Sequence, residues 1–341
     1  MTPLPLAPRR RHFNSADVLL VAAWIATWAF GQLYLALATA VLIMVIFGLS
    51  LDLAQGYGGI ETLGHSAFFG VGAYGAGLYA IYGSTEPLTG LGVGALAAAA
   101  FALVTGIAVI RVRGLTQIML TMACATLLME AANAAKSITG GDDGLTGYSI
   151  APIFGQFEFD ILGRTAFLYC SAVLLVAYLL CKHLVRSPFG LTAQGIRENL
   201  TRMQLLGVNT SRRLLFLYCI SGALAGVAGA LSAQVNKIVG LDALAFTLSA
   251  NVVILLALGG PGRLYGAFFG AILFVLMSDR AAAIDPTNWL AALGVLLIVV
   301  MRFAPDGIAG LAQRLAEKSR VRTPKQPVEG EAAPPYRKEP S

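Results

Sequence analysis

Long runs of apolar residues, separated by short polar segments, make up most of the chain. A run of about 20 apolar residues is long enough for an α-helix to cross a hydrocarbon core of ~30 Å. Backbone amides in lipid must find partners within their own segment, so the runs predict helices and not open strands. We expect about ten membrane-spanning helices, within a range of eight to ten, at residues 17–31, 33–51, 64–82, 90–110, 115–135, 164–185, 213–235, 243–259, 264–280 and 287–303. The first two share one run, and a single long helix there is the alternative.

The composition agrees with an all-α, polytopic transmembrane helical bundle. Hydrophobic residues make up 57% of the 341 positions and charged residues only 12%, with a mean hydropathy of +0.73. Soluble domains carry about 25% charged residues, roughly twice the fraction found here. A transmembrane β-barrel is not expected, because no segment alternates between apolar and polar positions.

The distribution of basic residues predicts the topology. With the N-terminus in the cytoplasm, 20 of the 24 lysine and arginine residues fall on the cytoplasmic side, as the positive-inside rule requires. Both termini are then cytoplasmic, with an N-terminal tail at 1–16, a transmembrane domain at 17–303 and a C-terminal tail at 304–341. We expect disorder from about residue 323, where the tail is rich in Pro, Glu and Lys. The net charge of +6 indicates orientation and contact with anionic lipid, not nucleic-acid binding.

Two loops stand out between the helices. The external loop 136–163 is polar and contains Gly, Asp and Pro, so it is expected to fold outside the bilayer. The cytoplasmic loop 186–213 predicts a short amphipathic helix, with Ser187 as its N-cap and Pro188 as its first residue. Gly207 is a natural stop after apolar residues at helical spacing, which are Ile196, Leu200, Met203 and Leu206. The residues alone leave open whether this helix rests on the membrane or docks a partner protein.

Three polar residues fall inside the predicted membrane helices. Glu130 and Asn133 lie at i, i+3 on one face of the fifth helix, and His65 begins the third. Such side chains are costly in lipid and by default face the bundle interior or a water-filled path. We therefore expect all three to line a translocation path. The alternatives are that His65 is a satisfied packing residue and that Glu130 reaches outward to the membrane surface.

Glycine is abundant, at 38 residues, and its spacing is typical of helix packing. Residues 70–75 match the dinucleotide-binding pattern GxGxxG, but that pattern requires a preceding strand and this one lies within an apolar run. Small residues allow helix backbones to approach closely. Helix packing is therefore the expected role of Gly70, Gly72, Gly222, Gly226, Gly229, Gly266 and Gly270.

The signatures of several enzyme classes are missing from the sequence. No lysine follows a glycine, so there is no P-loop and no ATP site of this type in the chain. No serine-hydrolase, zinc-protease or paired-carboxylate motif is present, and the four cysteines form no CxxC or Cys/His cluster. We expect neither catalytic residues nor a metal site.

Several separated stretches, in one order, carry a family resemblance. They are GYGG at 56–59, LGHSAFFGVGAY at 63–74, RVRGL at 111–115, TGGDDGLTG at 139–147, SPFG at 187–190, IREN at 196–199, LGVN at 206–209, SGALAGVAGA at 221–230 and LGGPGRLYG at 258–266. These stretches resemble the motifs of the membrane permease subunits of branched-chain amino acid ABC importers, of the LivM type. The resemblance covers most of the chain.

The resemblance implies a multi-subunit importer in the bacterial inner membrane. It would contain this chain, a second homologous permease, two ABC ATPase subunits that bind ATP and Mg, and a periplasmic solute-binding protein. This chain itself would hold no cofactor. The loop 186–213 would be the coupling segment that docks into an ATPase, through Ser187, Pro188, Phe189, Gly190, Ile196, Arg197, Glu198, Asn199 and Arg202.

Departures from the family pattern leave the substrate open. The residue before the GYGG stretch that is usually Asn is Asp52 here, similar to the urea and short-chain amide permeases of the same group. We therefore expect an importer of branched-chain amino acids or related small polar solutes, with a urea or amide permease as the alternative. A rival from another class is an ion-coupled secondary transporter in which Glu130 or Asp52 carries a proton.

Overall fold

A computed structural model of the chain describes residues 35–152 and 163–284, together with positions 294, 295, 298, 302 and 307. Helices joined by short connections account for almost all of the two continuous ranges. The α-helices of five residues or more are α1 (Leu35–Leu51), α2 (Ser66–Tyr82), α3 (Pro87–Val109), α4 (Leu115–Ala134), α5 (Arg164–Arg186), α6 (Pro188–Glu198), α7 (Leu200–Leu205), α8 (Thr210–Asn236), α9 (Phe246–Gly259) and α10 (Leu264–Ile284).

The all-α prediction is confirmed for the described residues, in which an isolated bridge between Leu145 and Val239 is the extent of β-structure. Eight of the ten predicted segments fall in the two continuous ranges, and all eight are helical. Six helical stretches are long and apolar enough to cross a membrane, while α2 and α9 are shorter, at 17 and 14 residues. The predicted segments 17–31 and 287–303 and both tails lie outside the described residues, apart from the isolated positions.

The first described helix does not end at residue 51 as predicted. It continues without interruption into a π-helix, Asp52–Tyr57, which gives a span of 23 residues. After Tyr57 the chain turns back into the bundle, and the connection to α2 contains residues that are fully enclosed, including Ile60 and Thr62. π-Helical turns occur mostly as short insertions in α-helices, often at functional sites. This turn is the irregular part of an otherwise regular helix.

Helix α8 forms the centre of the bundle, packed against α1, α2 and α3. In α8, 67% of the most apolar stretch is buried inside the bundle, whereas in α4 only 22% of the corresponding stretch is buried. A helix that is buried on all sides belongs to the core, and one that buries a narrow stripe faces the surroundings of the bundle. Helix α4 is thus attached at the edge, through Gln117, Thr121 and Ala125.

Close approach between helices depends on glycine where α2 crosses α8. A Cβ atom at Gly72 would fall on the backbone of Gly226, so the two backbones are in direct contact. At every glycine to which the sequence assigned a packing role, the position of a Cβ atom lies within 3 Å of an existing atom. These glycines are Gly70, Gly72, Gly222, Gly226, Gly229, Gly266 and Gly270.

The connections gather at two opposite ends of the bundle. At the first, which we call the Arg197 end, Arg197 in the last turn of α6 contacts Gly56 of the π-helix and the Gly262 turn between α9 and α10. At the second, the Tyr148 end, the chain after α4 pairs with the chain after α8. Segments that the charge distribution assigns to the cytoplasm lie together at the Arg197 end, and those assigned to the outside lie together at the Tyr148 end.

Candidate functional site

The loop 186–213 folds into two helices, α6 and α7, and not into the single helix that the sequence predicted. Ser187 caps α6, because its Oγ accepts a hydrogen bond from the Gly190 N–H at 3.2 Å. The chain then breaks at Asn199, whose extended backbone ends α6. The Oδ1 of the same residue accepts a hydrogen bond from the Arg202 N–H at 2.9 Å and so starts α7. Asparagine is a strong N-cap residue, which explains the break.

The inner face of α6 fixes this segment to the bundle. Ala193 and Ile196 are buried, and Gly190 lies so close to the backbone at the end of α5 that no side chain fits there. Phe189 is half-buried beneath the guanidinium of Arg213, which lies 6.0 Å from the ring centroid and hydrogen-bonds Thr192. The segment is therefore held in a defined position at the Arg197 end.

The outer face of α6 and α7 presents apolar side chains. Leu191, Leu205 and Leu206 are 60%, 84% and 70% exposed. Arg202 is also exposed and lies one helical turn before Leu205 and Leu206. Of the nine residues assigned to ATPase coupling, Gly190 and Ile196 are buried and Ser187 and Phe189 are half-buried, while the exposed ones are Pro188, Arg197, Glu198, Asn199 and Arg202. The sequence analysis named Leu206 as part of the apolar face of the predicted helix but did not single out the exposed Leu191 and Leu205.

His65 is fully enclosed within the bundle. Its Nε2 lies 2.9 Å from the Oγ of Ser50, and its ring stacks on Phe47 at a centroid distance of 5.6 Å. The Ser50 hydroxyl donates its proton to the carbonyl of Phe47, so Nε2 of the imidazole carries the hydrogen of the 2.9 Å contact. Nδ1 then accepts no hydrogen bond from any described residue. His65 thus joins the start of α2 to α1 and reaches no surface in this structure.

Buried serines complete the attachment of α2. The Ser66 N–H donates to the Oγ of Ser249 at 2.8 Å, and the Ser66 hydroxyl donates to the carbonyl of Leu244. The Oγ of Ser221 donates to the carbonyl of Ser50 at 2.6 Å. Because buried polar groups need partners, these bonds fix α1, α2, α8 and α9 relative to one another.

Glu130 and Asn133 lie on a different part of the molecule from His65. Glu130 is exposed on the side of α4 that faces away from the bundle, and Asn133, about one turn later, is half-buried. The Oδ1 of Asn133 is buried but has no hydrogen-bond partner among the described residues. The exposed Thr126 and Met122 lie on the same face, one to two turns earlier. The structure brings Glu130 and Asn133 together and leaves His65 apart from them.

The Tyr148 end carries a folded loop. Leu145 and Val239 exchange two backbone hydrogen bonds, of 2.8 and 3.0 Å, and the phenol of Tyr148 donates to the carbonyl of Ala233 at 2.8 Å. Leu145, Tyr148 and Val239 are buried in a small second core against α2. Asp142 and Asp143 project from this loop and are exposed. The described part of the predicted external loop, residues 136–152, is therefore attached to the bundle.

The sequence indicated Asp52 as a departure from the family pattern and, in the rival hypothesis of a secondary transporter, as a proton carrier. Its carboxylate is fully buried in the π-helix and accepts a hydrogen bond from the Gly262 N–H at 2.6 Å. Within the described ranges, no three His, Cys, Asp or Glu side chains are grouped so as to hold a metal ion.

A helical bundle with six helices that are long and apolar enough to cross a membrane is typical of a multi-pass membrane protein. The chain belongs to the family described as "Branched-chain amino acid transport system / permease component", whose profile matches residues 33–301. It is accordingly an inner-membrane transport protein.

Curated relatives agree with this assignment. The chain is 28% identical over 321 residues to the high-affinity branched-chain amino acid transport system permease protein LivM of Escherichia coli K12, covering 88% of this chain and 75% of LivM. It is 26% identical over 171 residues to a probable branched-chain amino acid permease LivH of Methanocaldococcus jannaschii, covering 47% and 53%. It is 27% identical over 162 residues to BraD of Pseudomonas aeruginosa, covering 46% and 52%. No solved structure matches the chain.

These relatives fit the prediction of a branched-chain amino acid permease. They do not fit the alternatives of a urea or short-chain amide permease or of an ion-coupled secondary transporter.

Proposed function

We propose that the chain is one of two homologous permease subunits of an ATP-driven importer for branched-chain amino acids. It acts with two ABC ATPase subunits at the Arg197 end, which is cytoplasmic, and with a solute-binding protein at the Tyr148 end, which is external. The substrate class comes from the names of its relatives. ATP and Mg are held by the ATPase subunits.

The exposed apolar face of α6 and α7 carries this proposal. Leu191, Leu205 and Leu206 lie at a helical surface segment between α5 and α8, two helices that are long and apolar enough to span a membrane. Large apolar side chains that project together from a rigidly held segment are typical of a protein contact site. An ATPase groove that receives these residues, with Arg202 at its rim, would cover them.

The outward face of α4 supports the second part of the proposal, a path shared with the other permease. An ionisable side chain that faces lipid is costly, and such residues normally face a protein neighbour or a water-filled path. Glu130 is exposed on this face, and Asn133 has an unpartnered buried oxygen beside it. We propose that both line the path or its rim where the second permease packs. His65 would instead hold the start of α2 behind the path.

Co-purification tests the docking assignment. The double variant Leu205→Gln, Arg202→Glu is expected to release the ATPase subunits from the permease and to abolish ATP-driven uptake. It places a polar side chain in an apolar contact and reverses the charge at its rim. Tyr82→Gln is the matched control, since Tyr82 is 76% exposed but lies at the opposite end of α2 from the Arg197 end. Unchanged association and uptake in the double variant would refute the docking assignment. The proposal also requires that vesicles with this chain alone take up no solute.

A further inference from the structure

Arg197, in the last turn of α6, is bound to its own chain. Its guanidinium donates a hydrogen bond to the carbonyl oxygen of Gly56, near the end of the π-helix. Its side-chain carbons pack against Gly59, where they lie 3.0 Å from the position that a Cβ would occupy. The sequence assigned Arg197 to contact with an ATPase, but its charged end points toward α1.

Asp52 lies next to this contact on the π-helix. Gly56 follows it by four residues, which is close to one π-helical turn, and the two residues adjoin each other directly. One carboxylate oxygen accepts the hydrogen bond from Gly262, and the carboxylate interacts electrostatically with Arg197. The second oxygen, Oδ2, is buried and has no hydrogen-bond partner among the described residues. A buried carboxylate with a free oxygen provides an acceptor for a nearby cation.

Gly262 completes the arrangement from the turn between α9 and α10. Its backbone has a φ of +80°, which favours glycine. A Cβ at this position would lie 2.9 Å from Nη1 of Arg197 and 3.2 Å from the carbonyl oxygen of Gly56. Three segments that are far apart in the sequence therefore meet around Asp52 and Arg197, and they border a cavity of about 330 Å³ that Gln194 and Glu198 also line.

We propose that Arg197 and Asp52 are positioning residues that transmit movement of α6 to the π-helical end of α1 and to the α9–α10 turn. The cavity leaves room for α6 to shift, and the free Oδ2 of Asp52 gives the guanidinium a second acceptor when Gly56 is released. A charge-assisted hydrogen bond is strong enough to couple the two elements, and the π-helix is the irregular segment that can yield. This inference rests on the proposed function, in which α6 faces an ATPase.

The test uses the complete reconstituted importer and measures solute taken up per ATP hydrolysed. In Arg197→Met, we expect the ATPase subunits to remain bound and to hydrolyse ATP, while uptake per ATP falls roughly tenfold, the factor expected for one hydrogen bond to a charged group. Arg197→Lys retains a cationic donor and should recover part of the loss. Arg113→Met is the matched control, an exposed arginine between α3 and α4 that should leave the ratio unchanged.

Asp52→Asn tests the same group of contacts by changing the residue on the π-helix. It keeps an oxygen acceptor for the Gly262 N–H but removes the negative charge, so uptake per ATP should fall as in Arg197→Met. In the double variant the combined effect should be less than the sum of the two single effects, because Arg197 and Asp52 interact electrostatically and border the same contact between Gly56 and Gly262. This variant also decides the matter if Arg197→Met fails to fold.

The outcomes separate this inference from the docking proposal. An unchanged uptake-to-ATP ratio in both variants overturns the inference. Loss of the ATPase subunits from Arg197→Met would make Arg197 a docking residue, which also overturns the inference but leaves the docking proposal intact. Retention of the ATPase subunits by the Leu205 and Arg202 double variant overturns the docking proposal alone.

Discussion

The imidazole of His65 donates from Nε2 to the Oγ of Ser50 over 2.9 Å, in a part of the bundle that is closed to its surroundings. The bond joins residues 15 positions apart and holds the start of α2 against α1, on the far side of the π-helix in the sequence. A buried donor that loses its acceptor is costly. The contact is therefore a structural link between α1 and the start of α2.

Replacement of His65 by Leu should lower the stability of the permease by about 1–3 kcal/mol, because the Ser50 oxygen loses its donor. His65→Gln can place an amide N–H near the position of Nε2 and should be less harmful. The midpoint of thermal unfolding in detergent measures the difference. If His65→Leu is as stable as the native chain but no longer transports, His65 belongs to the path and this prediction is wrong.

Glu130→Gln should reduce ATP-driven uptake by about tenfold or more, because the proposed path loses its charge while the fold keeps the same shape. Glu86→Gln is the control, since Glu86 is also an exposed glutamate but lies before α3 at the Tyr148 end. Uptake of labelled branched-chain amino acid by vesicles containing the complete importer is the measurement. Full activity of Glu130→Gln would show that this carboxylate is not needed in the path.

Tyr148 should make alkaline stability depend on pH. Burial raises the pKa of this phenol to about 12, from an ordinary value of about 10. Its contribution to stability is complete below pH ~10 and is lost as the pH rises towards 12, because the unfolded chain ionises first. Tyr148→Phe should therefore lose less stability than the native chain between pH 10 and 12.

At neutral pH the same variant should be less stable by about 1 kcal/mol, since it lacks the hydrogen bond to Ala233. Tyr82→Phe, at a side chain that is 76% exposed, should follow the native curve at every pH. Thermal unfolding across this pH range tests both statements. Parallel curves for the native chain and Tyr148→Phe would contradict the assignment.

Two glycine substitutions should have opposite effects. Gly72→Ala forces a methyl group into the backbone of Gly226 and should cost about 1–3 kcal/mol or more, because α2 and α8 must separate. Gly92→Ala, in α3, has no atom within 4 Å of the added Cβ. It should stabilise the helix by up to about 1 kcal/mol through higher helix propensity. Unfolding midpoints of the two purified variants provide the comparison, and equal shifts would show that the α2–α8 contact adapts.

The helices were predictable because length and apolarity are local properties of the sequence. The continuation past residue 51 was not predicted, and the first residue of the π-helix, Asp52, has its hydrogen-bond partner Gly262 at a distance of 210 positions in the sequence. The break at Asn199 could have been found, because asparagine between Glu198 and Leu200 is an N-cap signal. The apolar spacing across the break concealed it.

In the candidate site, too, features that depend on local spacing were predictable and features that depend on contacts between helices were not. Side chains three positions apart are neighbours on the surface of a helix, so the proximity of Glu130 and Asn133 can be predicted directly from the sequence. The enclosure of His65 could not be read from the sequence, since it requires Ser50 and Phe47 from another helix. Arg197 was correctly placed on a surface helix, but its inward contact with Gly56 depends on how α6 lies against α1.

The pairing of Leu145 with Val239 has a consequence for any protein that meets the Tyr148 end. It fastens the chain after α4 to the chain after α8, so Asp142 and Asp143 project from a surface that is already shaped. Ordering a free backbone residue costs about 1–2 kcal/mol. A protein that binds to Asp142 and Asp143 would therefore avoid the entropic cost of ordering the backbone around Leu145, so its affinity would depend more directly on how well the two surfaces fit.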